Sequence, residues 1–240
     1  MTQVVRISGE FGLDVNVKKT KVMVFSPKKS VPTCRITLGN YVLEQVQRYT
    51  YLGQIVTQDG YMDEEIKRRI GMAKSTFMDM RDLFVSGKLG MNTKRRLLQT
   101  YIWSVLLYGC ETWKLDTQTT KKLESFEMWT FRRIGKISWT KKWTNEKVLE
   151  KLNVKRNLLN IIRVRKLQYL GHIKRHPSIM KDTLEGFVQG TRSRGRPRFT
   201  WMTNCYDWTG MSLSNINSAS QDRQKWRLIA ANHQTGDGTT

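Results

Sequence analysis

The fold follows first from residues 63–84, which read DEEIKRRIGMAKSTFMDMRDLF. Apolar side chains recur there at spacings of three and four residues, at Ile66, Ile70, Ala73, Phe77, Met80 and Phe84. This period is typical of an α-helix that buries one face. Three carboxylates begin the stretch, where negative charge stabilises a helix N-terminus. We therefore predict a helix over residues 61–86 that packs through its apolar stripe.

Similar apolar periods continue downstream of this stretch. The predicted helices cover residues 93–109, 117–135, 144–152, 157–172 and 221–231. Asn92, Asp116 and Thr144 stand where a polar side chain caps the first turn of a helix. We expect a helical bundle over residues 61–140 and a basic helical region over 141–233, with a breaker-rich basic loop at 190–198. The tail at residues 234–240 is predicted to be disordered.

The first sixty residues carry short β-branched and aromatic runs instead. These runs cover residues 21–26, 35–38, 41–43 and 49–56. Gly39-Asn40, between two of them, favours a hairpin turn. Three or four strands of this length bury little apolar surface alone. We therefore predict an α+β fold, in which a small antiparallel β edge over residues 1–60 precedes a mainly α-helical bundle and a helical C-terminal region.

The charge balance indicates a polyanionic partner. The chain of 240 residues has 42 Lys and Arg against 20 Asp and Glu, which gives a net charge of +22. Residues 141–200 alone carry 16 basic and 4 acidic side chains. A surface this basic repels itself unless it faces a polyanion, so nucleic acid is the predicted partner. The alternative is a solvated, lysine-rich face.

The same sequence argues against a membrane or secretory setting. No apolar run approaches the length of about 18 residues that a spanning helix needs. The N-terminus does not have the charged and apolar regions of a secretory signal. Cys34, Cys110 and Cys205 are far apart and odd in number, which fits a reducing compartment. We expect a nuclear or cytoplasmic protein without a membrane partner.

Residues for two-metal chemistry are not evident in the sequence. Two-metal polynucleotide chemistry needs carboxylates that bridge ions about 4 Å apart, and adjacent aspartates occur nowhere in the chain. His172 and His176 have the spacing of a helical metal pair, but Gly171 and Pro177 crowd that helix and Cys205 would supply only a third ligand. We predict no metal site, and we interpret the cysteines as small buried side chains.

Six segments, taken in order, resemble one family. They are FGLDVNVKKTKVM at 11–23, YTYLG at 49–53, SVLLYGCETW at 104–113, RKLQYLGH at 165–172, RSRGRPR at 192–198 with Trp201, and QDRQKW at 221–226. Together they resemble the C-terminal part of the endonuclease and reverse transcriptase proteins of non-LTR (LINE-type) retrotransposons. Each segment is weak alone, and their order along residues 10 to 230 is what makes the resemblance specific.

The resemblance implies a fragment that follows the catalytic aspartates of an RNA-directed DNA polymerase. It would hold the palm edge, the primer grip, the thumb and the basic C-terminal region. Its partners would be an RNA–DNA or DNA duplex, transposon RNA and the missing N-terminal portion of the enzyme. No cofactor is expected in this chain, since Mg²⁺ belongs to the complete polymerase. The chain alone is expected not to extend a primer.

Within the resemblance, Tyr51, Leu52 and Gly53 match the primer grip. In the family a tight turn holds the primer end there, and Gly53 would allow close backbone approach. Lys19 matches a lysine proposed to act as general acid on the leaving pyrophosphate, although an exposed lysine explains it equally well. Without the aspartates, Lys19 has no reaction to assist.

Basic side chains on the predicted helices are the candidate phosphate contacts. They are Lys67, Arg68, Arg69, Lys94, Arg95, Arg96, Arg132, Arg133, Arg163, Arg165 and Lys166, joined by Arg194, Arg196 and Arg198 of the basic loop. A helical bundle that buries its apolar stripes is expected to leave these clusters outside, where they neutralise phosphates without reading sequence. The tryptophans at 103, 113, 129, 139 and 143 are predicted to pack in the core.

Two other functions stay open from the sequence. Arg194-Gly195-Arg196-Pro197-Arg198 has the pattern of an AT hook, whose arginines enter a narrow A·T minor groove. The chain would then be an accessory DNA-binding protein. An inactive transposon remnant is the third alternative.

Overall fold

The computed structural model describes residues 2–26, 31–186 and 199–232. The chain divides into two compact units, Met1–Glu65 and Ile66–Thr240. Of the described residues, most lie in helices, and the strands are few and short. The predicted α+β class, with a mainly helical bundle, is confirmed.

The N-terminal unit combines one helix with three strand pairs. Its elements are α1 (Thr2–Glu10), β1 (Lys21–Val22), β2 (Thr37–Leu38), β3 (Tyr41–Val42), β4 (Glu44–Gln45), β5 (Arg48–Tyr51) and β6 (Gln54–Thr57). Strands β2 and β3 form an antiparallel hairpin, as do β5 and β6, whereas β1 pairs with β4 in parallel. The run at 49–56 is therefore not one strand, because the chain reverses within it. Helix α1 was not predicted, since its β-branched residues favour strand over helix.

The N-terminal unit has little core. Within its described part, Leu43 is the only fully buried hydrophobic side chain, at 3% exposure. Phe11, Tyr41, Tyr51 and Leu52 are largely exposed. Two-residue and four-residue strands cannot cover these side chains.

The larger unit is helical throughout its described part. Its α-helices are α2 (Asp63–Asp79), which begins at the end of the first unit, α3 (Arg81–Val85), α4 (Met91–Leu97), α5 (Ser104–Leu106), α6 (Thr117–Ile134), α7 (Asn145–Leu152), α8 (Leu158–Arg175), α9 (Ile179–Glu185), α10 (Trp201–Thr209), α11 (Leu213–Gln221) and α12 (Arg223–Asn232). A π-helical segment, Leu98–Trp103, joins α4 to α5, and 3₁₀ turns lie at Cys110–Thr112 and Trp139–Lys141.

Two predicted caps are confirmed in the structure. The Asp116 carboxylate accepts a hydrogen bond from the Thr119 backbone N–H, and the Thr144 hydroxyl accepts one from that of Lys147. The helix predicted from residue 93 instead begins at Met91, after Gly90. The helix predicted over residues 61–86 is interrupted at Met80, so α2 and α3 are separate.

Two groups of buried side chains hold the larger unit together. In the first, Phe77 stacks on Phe84 with ring centroids 4.6 Å apart, and Trp103 meets Phe126 edge-on at 5.8 Å. The second surrounds α8 and includes Leu167, Leu170, Met202, Cys205, Ile216, Ala219, Trp226 and Ala230. Cys110 and Cys205 are buried as predicted, while Cys34 is half-buried. Trp139 contradicts the prediction of core tryptophans, since 82% of it is exposed.

Candidate nucleic-acid interface

The structure buries three of the basic residues that were predicted to face nucleic acid. Arg69 is 6% exposed, Lys94 7% and Lys166 0%. Each lies three or four residues from apolar members of its helix stripe, so it shares their buried face. The prediction that the basic clusters stay outside is wrong for these three. Arg69 places its guanidinium 4.4 Å above the Tyr108 ring.

Burial lowers the pKa of Lys94. Desolvation lowers the pKa of its ammonium, and the nearby positive charge of Lys136 lowers it further. Lys94 is thus the least suited member of the Lys94-Arg95-Arg96 triplet to hold a phosphate. Arg96 is exposed and Arg95 half-buried.

An open groove lies between α2 and the first half of α6. It encloses about 560 Å³, and its basic walls are Lys67 and Lys74 from α2 with Lys121 and Lys122 from α6. Phe126 and Trp129 supply its apolar floor. Only Lys67 of these four lysines was among the predicted phosphate contacts.

A second depression continues along α6 beside α3. It encloses about 530 Å³ and is lined by Arg81, Arg132, Arg133 and Lys136, with apolar surface from Val85 and Ile137. Successive residues of α2 and α3 therefore meet successive residues of α6. We call the two depressions together the α6 groove.

Trp129 lines the first depression and contacts one cation from each part of the α6 groove. The Lys74 ammonium lies 5.5 Å from its ring centroid, and the Arg133 guanidinium lies 4.3 Å from it. The ring also meets Phe77 edge-on at 5.2 Å. These contacts position the two cations at the groove without neutralising them.

No carboxylate lines the α6 groove within the described part of the chain. Glu124, although on α6, is 3.0 Å from the Arg156 guanidinium. The buried Glu127 accepts hydrogen bonds from the backbone N–H groups of Asn157 and Leu158, and so caps α8. Desolvation raises the pKa of Glu127, and the hydrogen bonds at its carboxylate act in the opposite direction. The charged side chains among the described lining residues of the groove are therefore all basic.

The Lys166 side chain on α8 makes its contacts inside the protein. Its ammonium donates hydrogen bonds to the Trp113 carbonyl at 2.9 Å and to Asn204 Oδ1 at 2.7 Å. It also lies 4.6 Å from the Trp201 ring centroid. Burial lowers the pKa of Lys166 to about 7. This lysine connects α8 to α10 and to the 104–113 segment, and it cannot reach a phosphate from there.

We expect the stability of the protein to rise between pH 7 and pH 8.5. In the folded state Lys166 has a pKa of about 7, against 10.5 in its ordinary state, so the unfolded chain binds more protons in this window. Lys166 should contribute an increase of about 1–2 kcal/mol in the free energy of unfolding. Urea denaturation across this range checks the sign, and Lys166→Met should lose most of the slope. An identical slope in that variant would contradict the assignment. Above this window, burial raises the thiol pKa of Cys205 to about 11, which opposes the trend.

Arg163 and Arg165, the other predicted contacts on α8, are more accessible. Arg165 is exposed and reaches the Leu107 carbonyl at 3.3 Å, while Arg163 is half-buried over Trp208. The remaining predicted arginines, Arg194, Arg196 and Arg198, lie within residues 187–198, outside the described residues.

The segment that resembles a primer grip forms a tight turn. Tyr51 pairs with Gln54, and Leu52 and Gly53 between them have φ values of 47° and 76°. Two central residues with positive φ are typical of a type I′ hairpin turn, in which leucine is unusual. Leu52 is 74% exposed at its tip. Lys19 lies in a separate exposed turn, where its backbone N–H donates to Asn16.

Neither a metal centre nor a membrane-crossing helix is found in the described residues. His172 and His176 bring their rings within 4.5 Å, but no group of three His, Cys, Asp or Glu side chains there could hold an ion. None of the helices in the described ranges combines the length and the hydrophobicity needed to cross a bilayer.

Comparison with known proteins points to transposons. Over 254 aligned residues the chain is 22% identical to an uncharacterised transposon-derived protein of Caenorhabditis elegans. The match covers 98% of this chain and 88% of that protein. No family model and no solved structure matches the chain. The full-length similarity supports a transposon origin.

Proposed function

We propose that this chain is the nucleic-acid-binding C-terminal portion of a retrotransposon reverse transcriptase, and that it holds a template–primer duplex along the α6 groove. The observation that carries the proposal is the eight cationic side chains that line the groove, without a carboxylate among its described lining residues. Such a surface attracts a polyanion at close range.

The dimensions of the groove suit a duplex. From Lys121 to Lys136 the chain spans fifteen residues of helix and its end, or about 22 Å at the rise of an α-helix. A B-form duplex carries one phosphate charge per about 1.7 Å of its axis, so several phosphates face a groove of this length. Lysine and arginine contacts to phosphates position a duplex without selecting its sequence.

The assignment to a reverse transcriptase has two supports beyond the charge. The six segments that resemble LINE-type enzymes occur in the family's order, and the C. elegans relative is described as transposon-derived. The chain has no adjacent aspartates, so its part in such an enzyme would be to grip the duplex rather than to transfer nucleotides.

Binding of labelled duplexes tests the proposal. The groove variant replaces Lys74, Arg81, Lys121 and Lys136, all of them exposed, by glutamine. At about 0.1 M salt we expect its affinity for a 20-base-pair RNA–DNA or DNA duplex to fall by about 100- to 1,000-fold, because four phosphate contacts are lost.

The control variant removes the same charge elsewhere. It replaces Lys88, Arg223, Lys225 and Arg227, which are exposed and do not line the groove, by glutamine. If position in the groove matters beyond net charge, we expect the duplex affinity of the control variant to stay within about threefold of the wild-type value. Equal losses of duplex affinity in the two variants would contradict the α6 groove as the binding site. A strong preference of the wild-type protein for A·T-rich over G·C-rich duplexes would favour the AT-hook alternative.

A further inference from the structure

An exposed tryptophan stands on a capped turn just beyond α6. Trp139 is 82% exposed, although it begins the 3₁₀ turn Trp139–Lys141. The Ser138 hydroxyl accepts a hydrogen bond from the Thr140 backbone N–H and lies 2.7 Å from the Thr140 hydroxyl. The indole is therefore presented to solvent from an ordered turn, at the cost of leaving a large apolar ring in water.

Three ammonium groups converge on the neighbouring Trp143. Lys147 and Lys151, one turn apart on α7, each lie 4.9 Å from the ring centroid, and Lys141 lies 5.9 Å from it. Like charges around one ring repel each other, so this arrangement favours an anion that bridges them. We call Trp139, Lys141, Trp143, Lys147 and Lys151 the Trp139 surface.

The Trp139 surface is tied to the end of the α6 groove. The Arg132 guanidinium donates to the Trp143 carbonyl at 2.8 Å and to Asn145 Oδ1 at 3.0 Å. None of the five residues of the surface lines either depression of the groove. Glu146 and Glu150 on α7 leave residues 138–151 with two more basic than acidic side chains.

We propose that the Trp139 surface binds single-stranded nucleic acid. An unpaired base would stack on the Trp139 indole, while the adjoining phosphates contact the lysines around Trp143. Bases within a duplex are already stacked and cannot cover this ring, whereas every unpaired base offers a π face. The site is separate from the duplex groove, and its position beyond the last turn of α6 suits an overhang that leaves a duplex end.

Fluorescence anisotropy with a labelled 12-nucleotide oligothymidine tests this site. We expect Trp139→Ala to weaken binding by about 5- to 100-fold, which is the usual loss on removing a stacking ring. Trp139→Phe keeps a stacking ring, so its oligothymidine affinity should stay within about threefold of the wild-type value. Lys147→Gln with Lys151→Gln should weaken binding and reduce its dependence on salt.

The controls separate this site from the groove. Phe11→Ala removes another largely exposed ring, 76% accessible, and should not change oligothymidine binding. Trp139→Ala should keep duplex affinity and thermal stability, while the groove variant should keep oligothymidine binding. Equal oligothymidine affinity in Trp139→Ala and the wild-type protein would overturn the proposal. If that variant changed only self-association in sedimentation, Trp139 would be a contact between copies and the proposal would equally fail.

Discussion

Replacing Gly171 by alanine should destabilise the helices that surround α8. A Cβ atom at this position would lie 2.2 Å from Cδ1 and 2.4 Å from Nε1 of Trp226. The indole is 2% exposed and donates a 2.6 Å hydrogen bond to the Leu167 carbonyl, so it cannot move aside without losing that bond. We expect the free energy of unfolding to fall by about 1–3 kcal/mol, as for other overpacked cores. Urea denaturation followed by circular dichroism measures it.

Gly71 provides the matched control for this substitution. It also lies within a helix, α2, but a Cβ there would meet no atom within 4 Å. Alanine should therefore raise the free energy of unfolding, by about 0.5–1 kcal/mol, because it restricts the unfolded chain. If both variants changed stability in the same direction, the close packing of Gly171 on Trp226 would not be present in solution.

Asn204→Ala should destabilise the protein at least as much as Gly171→Ala. The Asn204 amide donates to the Leu115 carbonyl at 2.8 Å, and its Oδ1 accepts from the Leu115 N–H at 2.9 Å as well as from Lys166. Alanine removes the side-chain partner of both Leu115 backbone groups and one of the two hydrogen bonds of the buried Lys166 ammonium, which should lower the free energy of unfolding by about 3 kcal/mol or more. Thermal and urea unfolding of the purified variant measure the loss.

Asn217→Ala is the control for the loss of an asparagine. Its Oδ1 is buried without a hydrogen-bond partner in the structure. We expect the free energy of unfolding of this variant to stay within about 0.5 kcal/mol of the wild-type value, because the substitution breaks no side-chain hydrogen bond at that atom. A loss as large as that of Asn204→Ala would contradict the role given to the Asn204 hydrogen bonds with Leu115.

The helices predicted best were those with an apolar stripe or a capping side chain. Asp116 and Thr144 mark the starts of α6 and α7 because their oxygens meet free backbone N–H groups within three residues. Helices α10 and α11 were missed, since α11 reads LSNINSASQ and carries little apolar periodicity. Its helix depends on packing against α8, which no local pattern contains.

The basic site was predicted only in part, because adjacent charges on a helix point in different directions. Lys67 reaches the groove while Arg69, two residues on, is buried. Lys122, Trp129, Arg133 and Lys136 share one face of α6 and its end, at spacings of seven, four and three residues. The helical spacing of these four residues could have indicated the groove from the sequence, whereas a count of adjacent basic residues could not. That Lys74 of α2 and Arg81 of α3 line the groove opposite α6 depends on tertiary packing, which the local sequence does not show.

The segments that resemble the family meet in the structure as packing partners. Trp113 of the 104–113 segment receives the Lys166 ammonium at its carbonyl, and Trp226 of the 221–226 segment packs on Gly171. Asp222 accepts hydrogen bonds from the backbone N–H groups of Gln224 and Lys225 at the start of α12. The Trp113–Lys166 and Gly171–Trp226 pairs lie more than 50 positions apart in the sequence, so their packing could not be read from any one segment.

The salt dependence of duplex binding tests the central proposal most directly. The slope of log K against log salt counts the phosphate contacts that a protein makes, at about 0.9 per contact on B-form DNA. If the α6 groove holds the duplex, the groove variant should have a slope about 3–4 units shallower than the wild-type protein, while the control variant keeps the wild-type slope. A groove variant with the wild-type slope would contradict the α6 groove as the duplex-binding site.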